Sequence, residues 1–408
     1  MTQSMNNQLP FAHLRILELA SVLAGPQVGQ FFAELGAEVL KVESPAGDVT
    51  RTWKTSAETA VSRAAGAATV SAYFSASNWG KSSLVLDLTT AAGQAGLYRL
   101  AARADIILAS YKPGDAEKLR ADYATLAAGN PRLLYGHLTG YGPDNSRAGY
   151  DAVLQAEAGF MHLNAAGPGQ PPQKMPVAMV DLLAAHQLKE GLLTALFQRE
   201  RTGRGALVQV SLLDSALASL ANQAATSLVT GHDPQPLGSG HPSIVPYGTV
   251  YRAANGRQLV LAVGSDGQFR HLCAALARPE WATDDRFQTN AARVAHRTEL
   301  EDLLTECIAA VDGDELLAEL ERRTVPAGAV RSVGEALALP SAAGMLFPAI
   351  GASPAGLRTV AFRSPQWPVV AQLSAPPGLD VAGSAAFHPG LSGPDETAGG
   401  AASVPPVA

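Results

Sequence analysis

Six short apolar runs, separated by segments of helical length, limit what this chain can fold into more than any other feature. They run Leu14 to Leu19, Ala37 to Val42, Leu84 to Leu88, Asp105 to Ala109, Leu133 to Leu138 and Leu207 to Val210. Between the first two, Pro26 suits the opening of a helix, where its missing donor and fixed φ do no harm. Val28, Phe31, Phe32 and Leu35 then recur at helical spacing, and Gly36 ends the segment. Thr89 to Ala102 and Tyr123 to Ala128 read as further helices. Strands alternating with helices predict an α/β fold, with a largely parallel sheet covered on both faces. In such sheets ligands bind in the loops at the strand ends, and here those loops carry the polar residues.

The first strand–helix–strand unit, ending at Glu43, imitates a dinucleotide-binding fold. Its glycines do not follow the G-x-G-x-x-G pattern: after Leu19 there are only Gly25 and Gly29, three residues apart. A nicotinamide or flavin is therefore not expected. Ser44 to Gly66, with Pro45, Gly47, Asp48, Arg51, Trp53 and Lys54, reads as an irregular surface loop. Arg51 is a candidate partner for a phosphate or a substrate carboxylate. Tyr111-Lys112-Pro113-Gly114 follows the fourth run, and Gly140, Gly142 and Pro143 form a tight loop after the fifth. Asp151 stands just ahead of a predicted helix from Ala152 to Met161, where a carboxylate caps free amides.

Pro176 to Ser215 is the most informative stretch. An apolar run, Val177 to Val180, ends in Asp181, and Leu182, Leu183, Ala185, Leu188, Leu192, Ala195 and Leu196 continue as a long helix. Arg199 and Arg201 near its end, then Thr202-Gly203-Arg204-Gly205, are stop signals. The pattern places Asp181 where a strand turns into a helix. A capping aspartate is one reading; a nucleophile beside free amides that hold a developing oxyanion is the other. Composition does not choose between them.

With 408 residues, 47% of them hydrophobic and 16% charged, the chain has room for two globular domains. A net charge of −6 without a basic run argues against nucleic acid. Cys273 and Cys307 provide neither a disulfide framework nor a metal cluster, and Cys273 reads as packing. There is no signal-peptide pattern and no apolar stretch of membrane-spanning length, so the cytoplasm is the expected compartment. The turn-rich segment Gly231 to Gly240 marks a boundary. Beyond it, Tyr247 to Val250 and Leu259 to Val263 flank an Asn255-Gly256 hairpin turn, and three helices follow, near Gln268 to Ala277, Thr298 to Ala309 and Asp314 to Arg322. The expected division is a large domain over 10–225, a small α+β domain over 226–340, and a return to the large domain over 341–408. From Ser374 the chain is poor in large hydrophobes and reads as a surface tail whose end is disordered.

Several segments, in this order and at this spacing, resemble the class III coenzyme A transferases, the CaiB/BaiF-like group of formyl-CoA and carnitine CoA-transferases. They are Leu23-Ala24-Gly25-Pro26, Gly36-Ala37-Glu38-Val39 through Glu43, Gly47-Asp48 with Arg51, Tyr111-Lys112-Pro113-Gly114, Thr139-Gly140-Tyr141-Gly142-Pro143, Gly149-Tyr150-Asp151, and Val180-Asp181 through Asp214-Ser215. The likeness covers Leu14 to about Phe347. It implies a Rossmann-like large domain built from both ends of the chain, a smaller inserted domain, and an interlocked homodimer of ring-like subunits. It places the family's catalytic aspartate on Asp181. The implied reaction moves CoA between a thioester and an acid through aspartyl anhydride and aspartyl-CoA intermediates, with the CoA thioester as substrate and no permanently bound cofactor, metal or membrane partner. Arg51 and Lys112 are then the expected phosphate partners, with Gly25, Gly114 and Tyr150 beside the CoA or acyl part, and Gly238 and Gly240 as oxyanion donors.

An alternative inside the family is an α-methylacyl-CoA racemase, whose histidine base would fall at Tyr150. Tyrosine, with a reference pKa of about 10, is a poor base near neutrality, which favours transfer. A non-catalytic CoA-binding protein is the other alternative, and the intact Asp181 segment argues against it. Ser21 and Leu23 replace a polar pair found in formyl-transferase relatives, making formate and oxalate less expected than a succinyl-CoA-type dicarboxylate. A second carboxylate calls for an arginine; Arg51, Arg63 and Arg147 are the candidates, unranked.

Overall fold

The structure, a computed structural model, describes residues 9–64, 70–350 and 355–380. The chain divides into two compact units, one formed by residues 1–158, 177–221 and 344–408, the other by residues 159–176 and 222–343. The segment Gly159–Pro176, which the pattern assigns to the large domain, thus belongs to the second unit.

The first unit is built on β1 (Arg15–Leu19), β2 (Glu38–Glu43), β3 (Lys81–Val85), β4 (Ile106–Ala109), β5 (Leu134–Thr139) and β6 (Ala206–Ser211). All pair in parallel, in the order β3-β2-β1-β4-β5-β6. Ile16, Leu17, Leu40, Ile106, Ile107 and Leu108 are wholly buried, as strands covered on both faces require. The order reverses between β1 and β4, which opens a crevice at their carboxyl ends. The third strand lies earlier than its apolar run, because its register with β2 pairs Val39 with Lys81 and Glu43 with Val85. Lys81 and Ser83 sit inside this strand, and their polar atoms are met by Glu18 and Glu43. An apolar scan passes over such a strand.

Helix α1 (Ala24–Glu34) carries Pro26 in its first turn and buries Val28 and Phe32 completely. Gly25 lies so close to the end of β1 that a Cβ there would sit 2.3 Å from Ala20 Cβ. Helix α2 (Ala91–Ala101) is capped by Thr90, whose side chain accepts from Gly93 N–H. The segment expected to be an irregular loop after Glu43 instead holds a 3₁₀ turn at Val49–Thr52 and a helix at Ser56–Ala64. The turn forms because the Asp48 carboxylate accepts from Thr50 N–H and Thr50 Oγ1, so both residues stay buried with their polar atoms satisfied.

Helix α3 (Asp151–Glu157) stops short of its predicted end, since Gly159 takes φ +85°. Helix α4 (Met179–Thr202) ends at Gly203, at φ +69°, whose N–H donates to Arg199 O at 2.8 Å. Val180, Ala184, Ala185, Leu188 and Leu192 form its buried face. Val177 is exposed and lies in no strand, so the strand-to-helix placement of Asp181 is corrected to the third residue of a helix. Helix α5 (Leu212–Ala218) follows β6 and is capped by Ser211. Near the end of the described chain, Phe347 stacks on Trp79 with centroids 5.2 Å apart, and Val370 N–H donates to Glu34 O.

The second unit holds β7 (Tyr247–Arg252), β8 (Gln258–Ala262) and β9 (Ala327–Ala329) in an antiparallel sheet, with the β7–β8 turn at Gly256, φ +79°. Helices α6 (Asp266–Ala275), α7 (Arg297–Ala309) and α8 (Gly313–Arg322) pack Phe269, Leu272, Leu300, Leu304 and Leu320 against Tyr251 and Leu259. Cys273 lies in this core, its thiol pushed up to about 12 by burial, as a packing residue. The predicted tail beyond residue 380 lies outside the described residues. Among them no helix is long and apolar enough to cross a membrane.

Candidate active site

A cavity of about 300 Å³ opens at the carboxyl ends of β1, β4 and β5, at the reversal of strand order. Its walls are the β1–α1 loop at Ser21–Gly25, the β4 loop at Ser110–Pro113, the end of β5 through Gly140, the segment 147–151, and Asp181. The β5 loop is pinched shut: a Cβ on Gly140 would lie 2.6 Å from Gly149 Cα. Thr139 Oγ1 accepts from Gly142 N–H at 3.0 Å, closing the turn between them.

Two carboxylates share this cavity and differ in every contact. Asp151 opens α3, yet it does not cap its own helix. Its Oδ1 accepts from Val180 N–H at 2.8 Å and its Oδ2 from Gln155 Nε2 at 2.8 Å. It therefore supplies the cap that α4 lacks, because the N-cap residue there is Ala178. Asp181, one residue further along α4, is 7% exposed. Among the described residues no hydrogen bond or ion pair reaches its carboxylate. Burial, and then the negative charge of Asp151, push its pKa up to about 7. The capping reading of Asp181 is thus not what this geometry contains: the residue holds no amide. The Tyr73 hydroxyl, pushed up to about 12 by burial and then by Asp181 and Asp151, stands in the same negative field.

Of the residues singled out in the sequence, Gly25, Lys112, Tyr150 and Asp181 line this cavity together. Lys112 and Tyr150 are exposed. Gly114 does not line it; at φ +84° it starts the short Asp115–Lys118 helix and borders a separate cavity of about 240 Å³ beside His137. Arg51 is also absent from the lining. Its Nε and Nη2 donate to the Glu43 carboxylate at 2.8 and 2.6 Å and its Nη1 to Pro377 O at 2.9 Å, while the guanidinium lies 3.9 Å over the Phe74 ring. Arg63 is on the exposed helix Ser56–Ala64, whereas Arg147 lines the cavity. Gly238 and Gly240 belong to the second unit, where Gly240 N–H donates to Leu237 O and Gly238 has φ +59°.

Sequence reasoning missed the buried ions beneath the cavity. Glu18 pairs with Lys41 at 3.0 Å and Lys81 at 2.7 Å, and Lys41 pairs with Asp48 at 3.0 Å. Lys41 Nζ also donates to Ala20 O at 2.8 Å, and Asp48 Oδ2 accepts from Val22 N–H at 3.2 Å. These contacts hold the β1–α1 loop where Val22, a β-branched residue, adopts φ +70°. The available signal was a charge in the middle of an otherwise apolar stretch, Glu18 within residues 16–19 and Lys41 within residues 39–42. Among the described residues no group of three or more His, Cys, Asp or Glu side chains is placed to hold a metal ion.

A doubly wound sheet with a carboxylate-bearing cavity at its switch point defines the class, and the comparisons place the chain within it. The profile of CoA-transferase family III matches residues 11–380, and the chain belongs to that family. It is 40% identical over 344 residues to the succinate–glutarate CoA-transferase of Agrobacterium fabrum, covering 83% of this chain and 84% of that one. It is 32% identical over 338 residues to the acetyl-CoA:oxalate CoA-transferase of Acetobacter aceti, covering 82% and 84%. The crystal structure of a CaiB/BaiF family protein from Brucella suis superposes with a TM-score of 0.81 at 38% identity, over 95% of this chain and 100% of that one. The protein is a CoA-transferase acting between an acyl-CoA and a carboxylic acid.

Proposed function

We propose that Asp181 is the nucleophile of this transferase and that its acids are short dicarboxylates. The observation that carries the first part is a buried carboxylate that lines the cavity with no donor or cation on it among the described residues. Hydrogen bonds would stabilise its negative charge and blunt its attack; their absence leaves its electron pairs available. The name of the Agrobacterium fabrum relative, a succinate–glutarate CoA-transferase, supports the second part.

In this reading an Asp181 oxygen attacks the thioester carbonyl carbon, a C–O bond forms, and the C–S bond breaks to release CoA thiolate. The thiolate attacks the aspartyl carbonyl of the anhydride, forming an aspartyl-CoA thioester and freeing the first acid as its carboxylate. The acceptor carboxylate then attacks that thioester to make a second anhydride, and the returning thiolate takes the new acyl group and restores Asp181. No proton has to move in any step, so a site poor in acids and bases suffices. Both aspartyl intermediates are open to hydrolysis, which accounts for a nucleophile set deep in the wall rather than at its rim. The reading includes a homodimer; exposed Phe197, Leu228 and Val229 are consistent with a covered surface.

The test is chemical trapping. Enzyme incubated with succinyl-CoA alone, then treated with hydroxylamine or borohydride, should carry a modification on Asp181 in mass spectra of the peptide that contains it. Turnover without any donor-dependent change at Asp181 would remove the covalent role from this residue.

A further inference from the structure

We propose that Arg147 reads the distal carboxylate of the dicarboxylate substrate, a role that rests on the transferase reading above. The sequence offers three arginines for this task, and their surroundings separate them. Arg51 has its fork closed on Glu43 and Pro377 O, away from the cavity. Arg63 lies on an exposed helix outside the lining. Arg147 stands in the same cavity wall as Asp181.

Its position is built rather than incidental. The loop that carries it is pinned at its base by the contact of Gly140 with Gly149, and Leu213 N–H on α5 donates to Gly140 O at 3.1 Å. Arg147 N–H donates to Asn145 Oδ1 at 3.1 Å. The guanidinium lies 4.2 Å from the centroid of the Tyr141 ring, and Nη2 donates to Glu157. Stacking on an aromatic face fixes the plane of a guanidinium while leaving its edges for planar acceptors. Nε and Nη1 of Arg147 have no acceptor among the described residues, so one edge of the fork remains for a ligand.

The charge pattern of the cavity gives this edge a use. Asp151 and Asp181 make the reacting end negative, and only Lys112 and Arg147 bring positive charge to the lining. A diacid bound for reaction at one carboxyl group must place the other away from Asp181, against a cation. Lys112 is a point charge suited to phosphate, whereas Arg147 presents the bidentate geometry that a carboxylate matches. Glu157, met by Nη2 alone, leaves that edge open and offsets part of the guanidinium charge that the diacid would meet.

The experiment compares acceptors matched in length, glutarate and pentanoate, with succinyl-CoA as the fixed donor. In a double-displacement reaction kcat/KM for the acceptor does not depend on the donor, so the ratio of the two values isolates the distal carboxylate. In Arg147→Met the glutarate-to-pentanoate ratio should fall by about tenfold to a hundredfold, as expected for losing a charge-assisted pair, and Arg147→Lys should restore only part of it. Glu157→Gln, which keeps an acceptor for Nη2 and removes the opposing charge, should lower the glutarate KM. A wild type that prefers glutarate, with Arg147→Met keeping the same ratio, overturns the role of Arg147 alone. A wild type indifferent between the two acids overturns the dicarboxylate reading and this role with it. Should Arg147→Met fail to fold, an unchanged or raised glutarate KM in Glu157→Gln overturns the proposal independently.

Discussion

Two groups of buried charges lie under and beside the same cavity, and they are balanced in opposite ways. Beneath it, Glu18, Glu43 and Asp48 meet Lys41, Lys81 and Arg51, three acids against three bases, with every member in an ion pair of 3.0 Å or less. In its wall, Asp181 lies in the field of Asp151, and among the described residues neither has a cation in contact. Desolvation acts on both groups. Burial raises the Asp48 carboxyl, but Lys41 and the two Thr50 hydrogen bonds outweigh it, so the group ends below its usual range. Burial raises Asp181 and Asp151 adds to it, so that group ends near neutrality. The same physical penalty thus yields charged ion pairs where partners are supplied and a carboxyl raised to near neutrality where they are withheld.

Replacing an aspartate by asparagine should therefore have opposite consequences in the two places. Asp181→Asn removes the proposed nucleophile and should lower kcat by at least about a thousandfold. It should also stabilise the fold in alkali. The folded pKa of Asp181, about 7, lies above the ordinary carboxylate range near 3.8. Between those values the folded protein binds more protons than the unfolded chain, so ionisation of Asp181 erodes stability as pH rises from about 4 to 7. At pH 8 the variant should be more stable than the wild type by about 1–3 kcal/mol, after allowing for water in the cavity, and at pH 4 the difference should vanish. Denaturant titrations at the two pH values measure it; a variant less stable at pH 8 would mean that Asp181 is a structural group after all.

Asp48→Asn should do the reverse. It strands Lys41 between fewer acids than bases and removes the acceptor that holds Val22 N–H. Loss of one partner from a buried network costs about 3–5 kcal/mol. Since the folded pKa of Asp48 is depressed, its stabilisation is present above the usual carboxylate range and fades as pH falls through the folded value. Urea titrations of this variant and the wild type should therefore differ at pH 7 and converge in acid. Equal stability at pH 7 would show that the network is not a scaffold.

The comparison also divides two cations that sequence patterns treat alike. Lys112, exposed in the cavity wall, should act through binding: Lys112→Ala is expected to raise the acyl-CoA KM by about three- to tenfold while kcat changes little, the signature of an interaction shared by ground and transition states. Arg51→Ala should appear instead as a loss of stability, because it leaves Glu43 buried against Ser83 without its cation. Steady-state kinetics and thermal unfolding of both variants separate the roles, and a KM effect confined to Arg51→Ala would reverse the assignment.

Much of this arrangement was legible in the sequence, for reasons that particular residues make clear. The runs around Ile16, Leu40, Ile107 and Leu134 marked a parallel sheet because its strands are apolar on both faces. Asp181 was legible as a carboxylate at the head of a long helix, and the motifs around it pointed to the family. The third strand was placed late because Lys81 and Ser83 are polar, and only tertiary pairing with Glu18 and Glu43 explains their burial. The 3₁₀ turn at Val49–Thr52 looked like a loop because the burial of Asp48 and Thr50 depends on partners far along the chain or across the sheet, Val22 and Lys41 among them. The role of Asp151 was read one helix away from where it acts. Capping is ordinarily a local relation, and a cap supplied to α4 from α3 leaves no spacing rule to find.

That displaced cap allows a finer test of the reactive pair. Asp151 does two things to Asp181: it fixes the first turn of α4 by accepting from Val180 N–H, and its charge helps raise the Asp181 pKa. Asp151→Asn keeps an acceptor for Val180 N–H and removes the charge. Its amide nitrogen would face Gln155 Nε2, which a turn of the Gln155 amide resolves. With burial as the remaining cause, Asp181 should ionise at lower pH, and the acid limb of the kcat/KM profile should move down by about half a unit to one unit. Transfer at pH 6 should then fall less steeply in the variant than in the wild type relative to pH 8. Asp151→Ala, which removes the acceptor as well, should lose about 0.5–2 kcal/mol of stability, so the cap and the charge can be read separately. An acid limb that stays in place in Asp151→Asn would show that the titrating group is not Asp181, or that the two carboxylates do not sense one another.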